Sequence, residues 1–373
     1  MTALLPDAAA TAGPGQLDEV AGPLVCTRVV DVTHDVRSFV LRPPDGASLR
    51  FLPGQHLTVT VPVSGAVSGP VSGSVDPTPL SRCYTISSSP RHAEELTITV
   101  KRTGGPVSTW LHEHLRPGGE VVVEGPLGAF STAHHPATRY LFLSAGSGIT
   151  PLMSMLRTLH ADRSPVDVVF VHHARTPADI VFRDELRVIE QSHPGVRVVV
   201  ACEDDAPDER WDGVRGRVSL EMLRRAAPDL AEREVLTCGP APYMQAVRSL
   251  LAEAGADPAR CHEESFDLAA ATPVGPRVGP AAPVTGTTHM VELRRSGRSF
   301  ACAPGTPLLT AAAAAGITLP SSCQEGVCGT CKTTKLSGRV EMEHQGGIRP
   351  REVDRGAILL CCATPCEDVV LDA

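Results

Sequence analysis

Three cysteines within nine residues constrain this chain more than any other feature. They read Cys323-Gln-Glu-Gly-Val-Cys328-Gly-Thr-Cys331, a C-x4-C-x2-C spacing. Six of the twelve cysteines lie between Cys323 and Cys366; Cys26, Cys83, Cys202, Cys238, Cys261 and Cys302 are scattered. Secreted disulfide frameworks are small and evenly stapled, so clustered cysteines in a 373-residue chain favour a metal site. Zinc prefers paired C-x2-C elements, and only one such pair is present. A catalytic thiol does not explain three spaced cysteines. The spacing suits a [2Fe–2S] cluster, whose two irons need four thiolates, three of them from one tight loop. Gly326 and Gly329 let that loop fold over the cluster, with amide groups aimed at the sulfurs. The fourth thiolate must come from Cys361, Cys362 or Cys366.

The rest of the chain is long enough for two or three domains. Its first third reads as β: alternating runs at Leu57–Val61, Leu96–Lys101 and Glu120–Glu124 are separated by Pro and Gly, which suits a small barrel. A Val-Ser-Gly repeat starting at Val63, Val67 and Val71 interrupts it and reads as a flexible inserted loop. The middle third alternates strand and helix. Strands are expected at Tyr140–Ser144, Val166–His172, Arg197–Cys202 and Val235–Thr237. Helices are expected at Pro151–His160, Asp179–Gln191, Leu220–Ala226 and Pro242–Ala254. That is the pattern of a parallel sheet with helical crossovers. Asp267–Thr288 is poor in charge and reads as a linker. After it come a Val291–Leu293 strand, a Pro307–Ala315 helix and the cysteine loop.

Composition excludes some roles. The net charge of −8 argues against nucleic acid as a partner, and no apolar run is long enough for a membrane span. Met1–Gly22, rich in Ala, Gly and Pro, lacks a signal peptide's basic start and apolar block, so it is expected to be a disordered lead-in. A cytoplasmic, monomeric protein is expected.

Two further segments carry chemistry. Arg82-Cys83-Tyr84-Thr85 is followed by Gly104-Gly105-Pro106-Val107-Ser108-Thr109, a Gly-rich turn that opens a helix and can cradle phosphate. Gly146-Ser147-Gly148-Ile149-Thr150-Pro151 joins a strand to a helix, with Pro151 suited to the first helical turn. Cys238-Gly239-Pro240 follows the last core strand of the same region.

These motifs resemble known families. The cysteine loop resembles plant-type ferredoxins, in which the fourth ligand lies about 29 residues past the third, ahead of a Pro and an acidic-apolar strand. Cys361, with 29 residues between it and Cys331, then Pro365 and Asp368–Leu371, match that pattern. The upstream motifs resemble the ferredoxin–NADP reductase family. The resemblance implies FAD, with Arg82 on its pyrophosphate, Tyr84 packed on the ring and Thr85 bonded to N5. Gly105, Val107, Ser108 and Thr109 would lie near the phosphates. It implies NADH or NADPH at Gly146, Gly148, Thr150, Pro151, Gly239 and Pro240, with Cys238 beside the nicotinamide and Phe266 over the flavin face. Arg175 could pair with a 2′-phosphate or be a solvated loop residue; the layout leans to NADH.

The resemblance implies a multidomain architecture. Residues 23–132 would be an antiparallel β-barrel flavin domain and 133–266 an α/β parallel-sheet nicotinamide domain. Residues 289–373 would be an α+β, β-grasp ferredoxin domain. The expected function is electron transfer from NAD(P)H through FAD and the cluster to a separate terminal oxygenase or demethylase of Rieske type. Arg82–Pro90, His173–Leu186 and Cys323–Lys332 resemble reductases serving quaternary-amine demethylases. A desaturase, a hybrid-cluster protein, or a stand-alone flavin reductase or redox sensor are the alternative settings.

Overall fold

A computed structural model describes residues 16–17, 19–63, 78–92, 94–264, 288–317, 319, 326, 329, 331–344 and 346–373. Phe266, Cys323, Cys328 and the Val-Ser-Gly repeat past Val63 lie outside the described residues.

The first sheet has six antiparallel strands, in the spatial order Thr78–Thr85, His56–Val63, Glu120–Leu127, Val20–Thr33, Val36–Arg42, Leu96–Lys101. An antiparallel bridge between Ile86 and Ile98 brings the two outer strands together, so the sheet curls round on itself. Leu57, Val59 and Val61 alternate inward along one strand and pack on Leu24, Phe39 and Ile98. The helix Pro106–His114 plugs this core with Val107 and Leu111. The sheet begins at Val20, inside the stretch expected to be disordered. Val20, Ala21 and Gly22 pair with Gly125, Glu124 and Val123, and that pairing satisfies backbone groups which composition alone left open.

The second sheet is wholly parallel, in the order Val214–Arg215, Val196–Cys202, Asp167–Ala174, Arg139–Ala145, Glu234–Cys238, Cys261–Glu264. The chain runs outward from Arg139–Ala145 to one edge and then returns to that strand's other side. The strand order therefore reverses between Arg139–Ala145 and Glu234–Cys238, and the carboxyl ends of strands at such a point form a natural ligand crevice. The helix expected from Asp179 begins instead at Arg183. Pro177–Asp179 forms a 3-10 turn closed by Asp179, which accepts from the Thr176 hydroxyl at 2.8 Å, and Phe182 has φ 58°, so no continuous helix crosses this segment.

The third sheet has five strands, in the order Arg298–Cys302, His289–Leu293, Val369–Leu371, Lys332–Ser337, Ala357–Leu359. The helix Leu308–Ala314 contributes Leu308 and Ala312 to a core with Val291, Phe300 and Leu359. A mixed sheet grasping one helix is the expected β-grasp arrangement.

Two seams join the modules. Between barrel and parallel sheet, the helix Ile149–Ala161 grips the loop that follows Thr85: Ser154 Oγ donates to Ser88 O at 2.7 Å and Arg157 Nη1 to Ser87 O at 2.6 Å. Glu185 holds that Arg157 guanidinium by two bonds of 2.7 and 2.6 Å. Between barrel and C-terminal module, Gly346 lies so close to the Gly128–Ala129 backbone that a Cβ would come within 2.8 Å of Ala129 N. Lys332, next to Cys331, bridges Glu124 of the barrel and Glu352 of its own module. Burial works against the Lys332 charge, and the two carboxylates more than offset it.

Candidate functional site

One cavity of about 670 Å³ joins motifs that are far apart in sequence. Its walls include Arg82, Tyr84, Thr85, Gly105, Val107 and Ser108 from the barrel, and Gly146, Gly148, Thr150, Gly239 and Pro240 from the parallel-sheet module. Thr109, Pro151 and Cys238 are not among its lining residues. Thr109 and Pro151 stand one residue beyond lining positions, and Cys238 is buried directly behind Gly148.

The local reasons for this convergence are simple. Arg82, Tyr84 and Thr85 end the strand Thr78–Thr85, paired with Val59, Leu57 and His56. Gly105 caps the helix Pro106–His114 without a side-chain hydrogen bond, and Pro106 has no N–H to spend, so the helix start faces the cavity uncapped. The Ser108 hydroxyl is turned back to Gly105 O at 3.0 Å, which fixes the turn. Gly146 takes φ +54°, and a Cβ there would meet nothing within 4 Å, because that side opens on the crevice. Gly148 is the opposite case: a Cβ would stand 2.4 Å from Cys238 O, so only glycine lets this turn close on Cys238-Gly239.

These walls suit a flavin and a nicotinamide nucleotide. Thr85 is buried, its hydroxyl has no well-directed hydrogen-bond partner, and the residue lines the cavity, where a ring nitrogen could supply one. Two helix starts without side-chain caps offer the positive, N–H-rich ends that suit a pyrophosphate. Arg175 also lines the cavity, with Nη2 donating to Asp179 Oδ1 at 2.8 Å.

Behind Thr85 lies a buried polar group that sequence reasoning passed over. Glu264 ends the edge strand, where parallel pairing puts it opposite Cys238. Its Oε1 is 4.0 Å from His56 Nδ1, too long for a hydrogen bond, and it faces Thr85 without closing a well-directed one. Burial pushes its carboxyl up to about 8, with the Thr85 hydroxyl offsetting only part of the rise. Glu264 is thus mostly neutral at pH 7. The Cys238 thiol is pushed well above its usual range, chiefly by burial and further by Glu264, so it contributes shape rather than charge. The sequence offered only Glu263-Glu264. Strand parity, with Glu263 turned out to Arg248 at 2.5 Å, separates the two.

A stability prediction follows from Glu264. When the chain unfolds, the carboxyl returns to its ordinary value near 4.5 and releases a proton that the folded form retains. Folding stability therefore falls as pH rises from about 4.5 to about 8. Glu264→Gln removes this dependence. Thermal midpoints of the two proteins should diverge in favour of the variant between about pH 5 and pH 9. Parallel curves across that range would show that Glu264 is not held neutral.

In the C-terminal module, Cys331 and Cys361 are both buried in one apolar core, and Leu360 N donates to Cys331 O at 3.3 Å. Gly326 and Gly329 have φ +73° and +72°. A Cβ on Gly326 would stand 3.0 Å from Cys362 Sγ, and one on Gly329 would stand 2.8 Å from Gly347 O. Soft thiols at a glycine-hinged loop match the donor chemistry of an iron–sulfur cluster. Gly329 faces the barrel, since the same Cβ would lie 3.5 Å from Leu127 Cδ1.

Comparisons with known proteins agree with this layout. Three family models match in order: an oxidoreductase FAD-binding domain over 23–132, an oxidoreductase NAD-binding domain over 142–249, and a 2Fe-2S iron-sulfur cluster binding domain over 291–366. The chain is 41% identical to the glycine betaine monooxygenase reductase subunit of Pseudomonas aeruginosa, over 93% of this chain and 94% of the relative. It is 39% identical to a stachydrine N-demethylase reductase subunit of Rhizobium meliloti, over 95% and 97%. Among solved structures it is similar to phthalate dioxygenase reductase, with TM-score 0.53 and 25% identity over 94% of this chain and 97% of that one.

Proposed function

This chain belongs to the three-module family of oxygenase reductases, and from that premise we propose the roles of its residues and the nature of its partner. It is an NAD(P)H-dependent oxidoreductase with FAD and a [2Fe–2S] cluster, and it passes electrons to a terminal oxygenase. FAD, when bound, accepts electrons from the nicotinamide as a pair and releases them singly to the cluster.

The residues position and insulate. Arg82 and the turn Gly105-Pro106-Val107-Ser108-Thr109 would hold the flavin pyrophosphate, Tyr84 would pack on the ring, and the Thr85 hydroxyl would supply a hydrogen bond at N5. Gly146, Gly148, Thr150 and Pro151 would hold the nicotinamide nucleotide, with Cys238, Gly239 and Pro240 beside it, and Phe266 would be the aromatic that covers the flavin. Cys323, Cys328, Cys331 and Cys361 bind the cluster. The observation that carries this reading is the single cavity shared by both nucleotide motifs, because hydride transfer needs the two rings in contact. Lys332 supports the exit side: it pins the cluster module to Glu124 in the residue after Cys331.

The donor is NADH. Arg175, a cavity cation that could meet a 2′-phosphate, is already charge-paired with Asp179, and Lys101 on the same wall is paired with Asp35. The terminal partner is a Rieske-type oxygenase acting on an N-methylated amino acid, the class to which the compounds named in the two relatives belong. The protein works as a cytoplasmic monomer. Among the described residues no helix is long and apolar enough to cross a membrane.

The test is electron counting. NADH should bleach the flavin band at lower concentration than NADPH, and the holoprotein should reduce cytochrome c. After mild removal of the cluster with FAD retained, ferricyanide reduction should persist and cytochrome c reduction should be lost. Undiminished cytochrome c reduction by the cluster-free protein would mean that electrons leave from the flavin.

A further inference from the structure

The strap that leads from the barrel into the parallel sheet carries His134 and His135, and its path is pinned. His135 N donates to Ser131 O at 3.0 Å. The Tyr140 hydroxyl donates to His135 O at 3.1 Å while accepting from Ala137 N at 2.7 Å. This holds the His135 ring face to face with His262, with centroids 3.5 Å apart and planes 19° from parallel. His262 lies on the edge strand Cys261–Glu264, and Glu234 opens the neighbouring strand Glu234–Cys238. Parallel register pairs Leu236 with His262 and Val235 with Cys261, which brings Glu234 within reach: Oε1 is 2.6 Å from His262 Nε2. One donor atom from each of His135, Glu234 and His262 lies within 4.8 Å of the other two, and all three residues are half-buried.

We propose that His135, Glu234 and His262 form a binding site for a zinc ion, with water completing its coordination. Two imidazoles and one carboxylate from three separately anchored segments are a donor set that zinc takes readily. Calcium and magnesium prefer oxygen ligands, so this set selects against them. A second convergence, His34, Asp35 and Asp179, differs in kind: Lys101 already sits 3.2 Å from Asp35, and Arg175 sits 2.8 Å from Asp179. At the first site Arg260 bonds Glu234 Oε2 at 3.3 Å and leaves Oε1 to the histidine side. Binding splays the stacked rings about their nitrogen edges and replaces the hydrogen bond between His262 Nε2 and Glu234 Oε1, with the neutral imidazole keeping its one ring proton on Nδ1. The ion would staple the strap behind the barrel to the strand that ends at Glu264. Zinc would thereby stiffen the junction behind Thr85 and Cys238 without touching either.

The test uses the holoprotein with FAD and cluster in place, dialysed against chelator-buffered zinc. Zinc and iron are then counted together by mass spectrometry. About one zinc ion per chain is expected in the parent and in His134→Asn. His135→Asn and His262→Asn should lose the zinc while keeping their iron and flavin. Zinc should also raise the thermal midpoint of the parent and of neither site variant. X-ray absorption of zinc in the parent, which needs no variant to fold, should show nitrogen and oxygen neighbours at about 2.0–2.2 Å. A sulfur shell at about 2.3 Å would place the ion on the cluster cysteines and overturn the proposal. So would a parent that takes up no zinc, or folded site variants that take up as much as the parent.

Discussion

Gly148→Ala should leave FAD and iron in place and slow flavin reduction by NADH about 100-fold, as expected when reacting groups are displaced by about 1 Å. Gly148 has φ −65°, so its backbone conformation suits alanine as well as glycine. The obstacle is space. The added methyl would sit 2.4 Å from Cys238 O, 2.5 Å from its carbonyl carbon and 2.6 Å from Gly239 N. These are backbone atoms at the end of a central strand, held in register by Ser144 on one side and Glu264 on the other, so they cannot swing aside as a side chain would. The turn Gly146–Gly148 must back away, and it carries the start of the helix Ile149–Ala161 with it. Overpacking of this kind costs about 1–3 kcal/mol, which a chain of this size can absorb. The barrel wall at Arg82, Tyr84 and Thr85 is untouched, so flavin occupancy separates displacement from unfolding. Stopped-flow bleaching of the flavin band by NADH gives the rate. A fully loaded Gly148→Ala protein reduced as fast as the parent would show that the contact with Cys238 does not set the nicotinamide position.

The contrast between Gly148 and Glu264 shows what kind of information the sequence holds. Gly146-Ser147-Gly148 is legible because a strand, a tight turn and a helix start are consecutive and each leaves a local mark. The cysteine loop is legible for the same reason. Glu264 is not, because its burial comes from pairing with Cys238, 26 residues earlier, and from facing His56 across the seam between two modules. Nothing near Glu263-Glu264 in the chain says which carboxyl is solvated. Lys332 and Glu124, 208 residues apart, are another such pair. The start of the barrel at Val20 was hidden by composition: an Ala- and Gly-rich stretch carries little β signal until a partner strand supplies its hydrogen bonds. The shortened helix at Arg183 was hidden by chemistry of the opposite sort. Asp179 looks like a helix N-terminal residue, but it closes its own 3-10 turn on Thr176 before the αL residue Phe182.

Cys361→Ser should abolish the cluster, whereas Cys362→Ser and Cys366→Ser should keep it. Three cysteines compete for the fourth position, and backbone placement sets Cys366 apart from the other two. Cys331 stands just before the strand Lys332–Ser337, whose six residues advance roughly 20 Å at the usual rise. Cys366 N donates to Arg339 O at 2.9 Å, beyond the far end of that strand, so its thiol starts about a strand length from Cys331. The segment around Cys361 is instead drawn to the near end, because Leu360 N donates to Cys331 O. Cys361 and Cys362 are both local, and burial distinguishes them. Cys361 is buried in the core with Cys331, while Cys362 is only partly buried at the edge of that core, hydrogen-bonded to the Cys361 thiol and with its sulfur 3.7 Å from Leu359 O. A serine at Cys361 offers iron a hard, protonated oxygen in place of a soft thiolate. Iron should fall from about two atoms per chain to near zero, and cytochrome c reduction should disappear with it. Flavin reduction by NADH should hold, since the cavity residues belong to the other two modules. Full iron content in Cys361→Ser, with loss in Cys362→Ser, would move the ligand by one residue, to the sulfur beside Gly326.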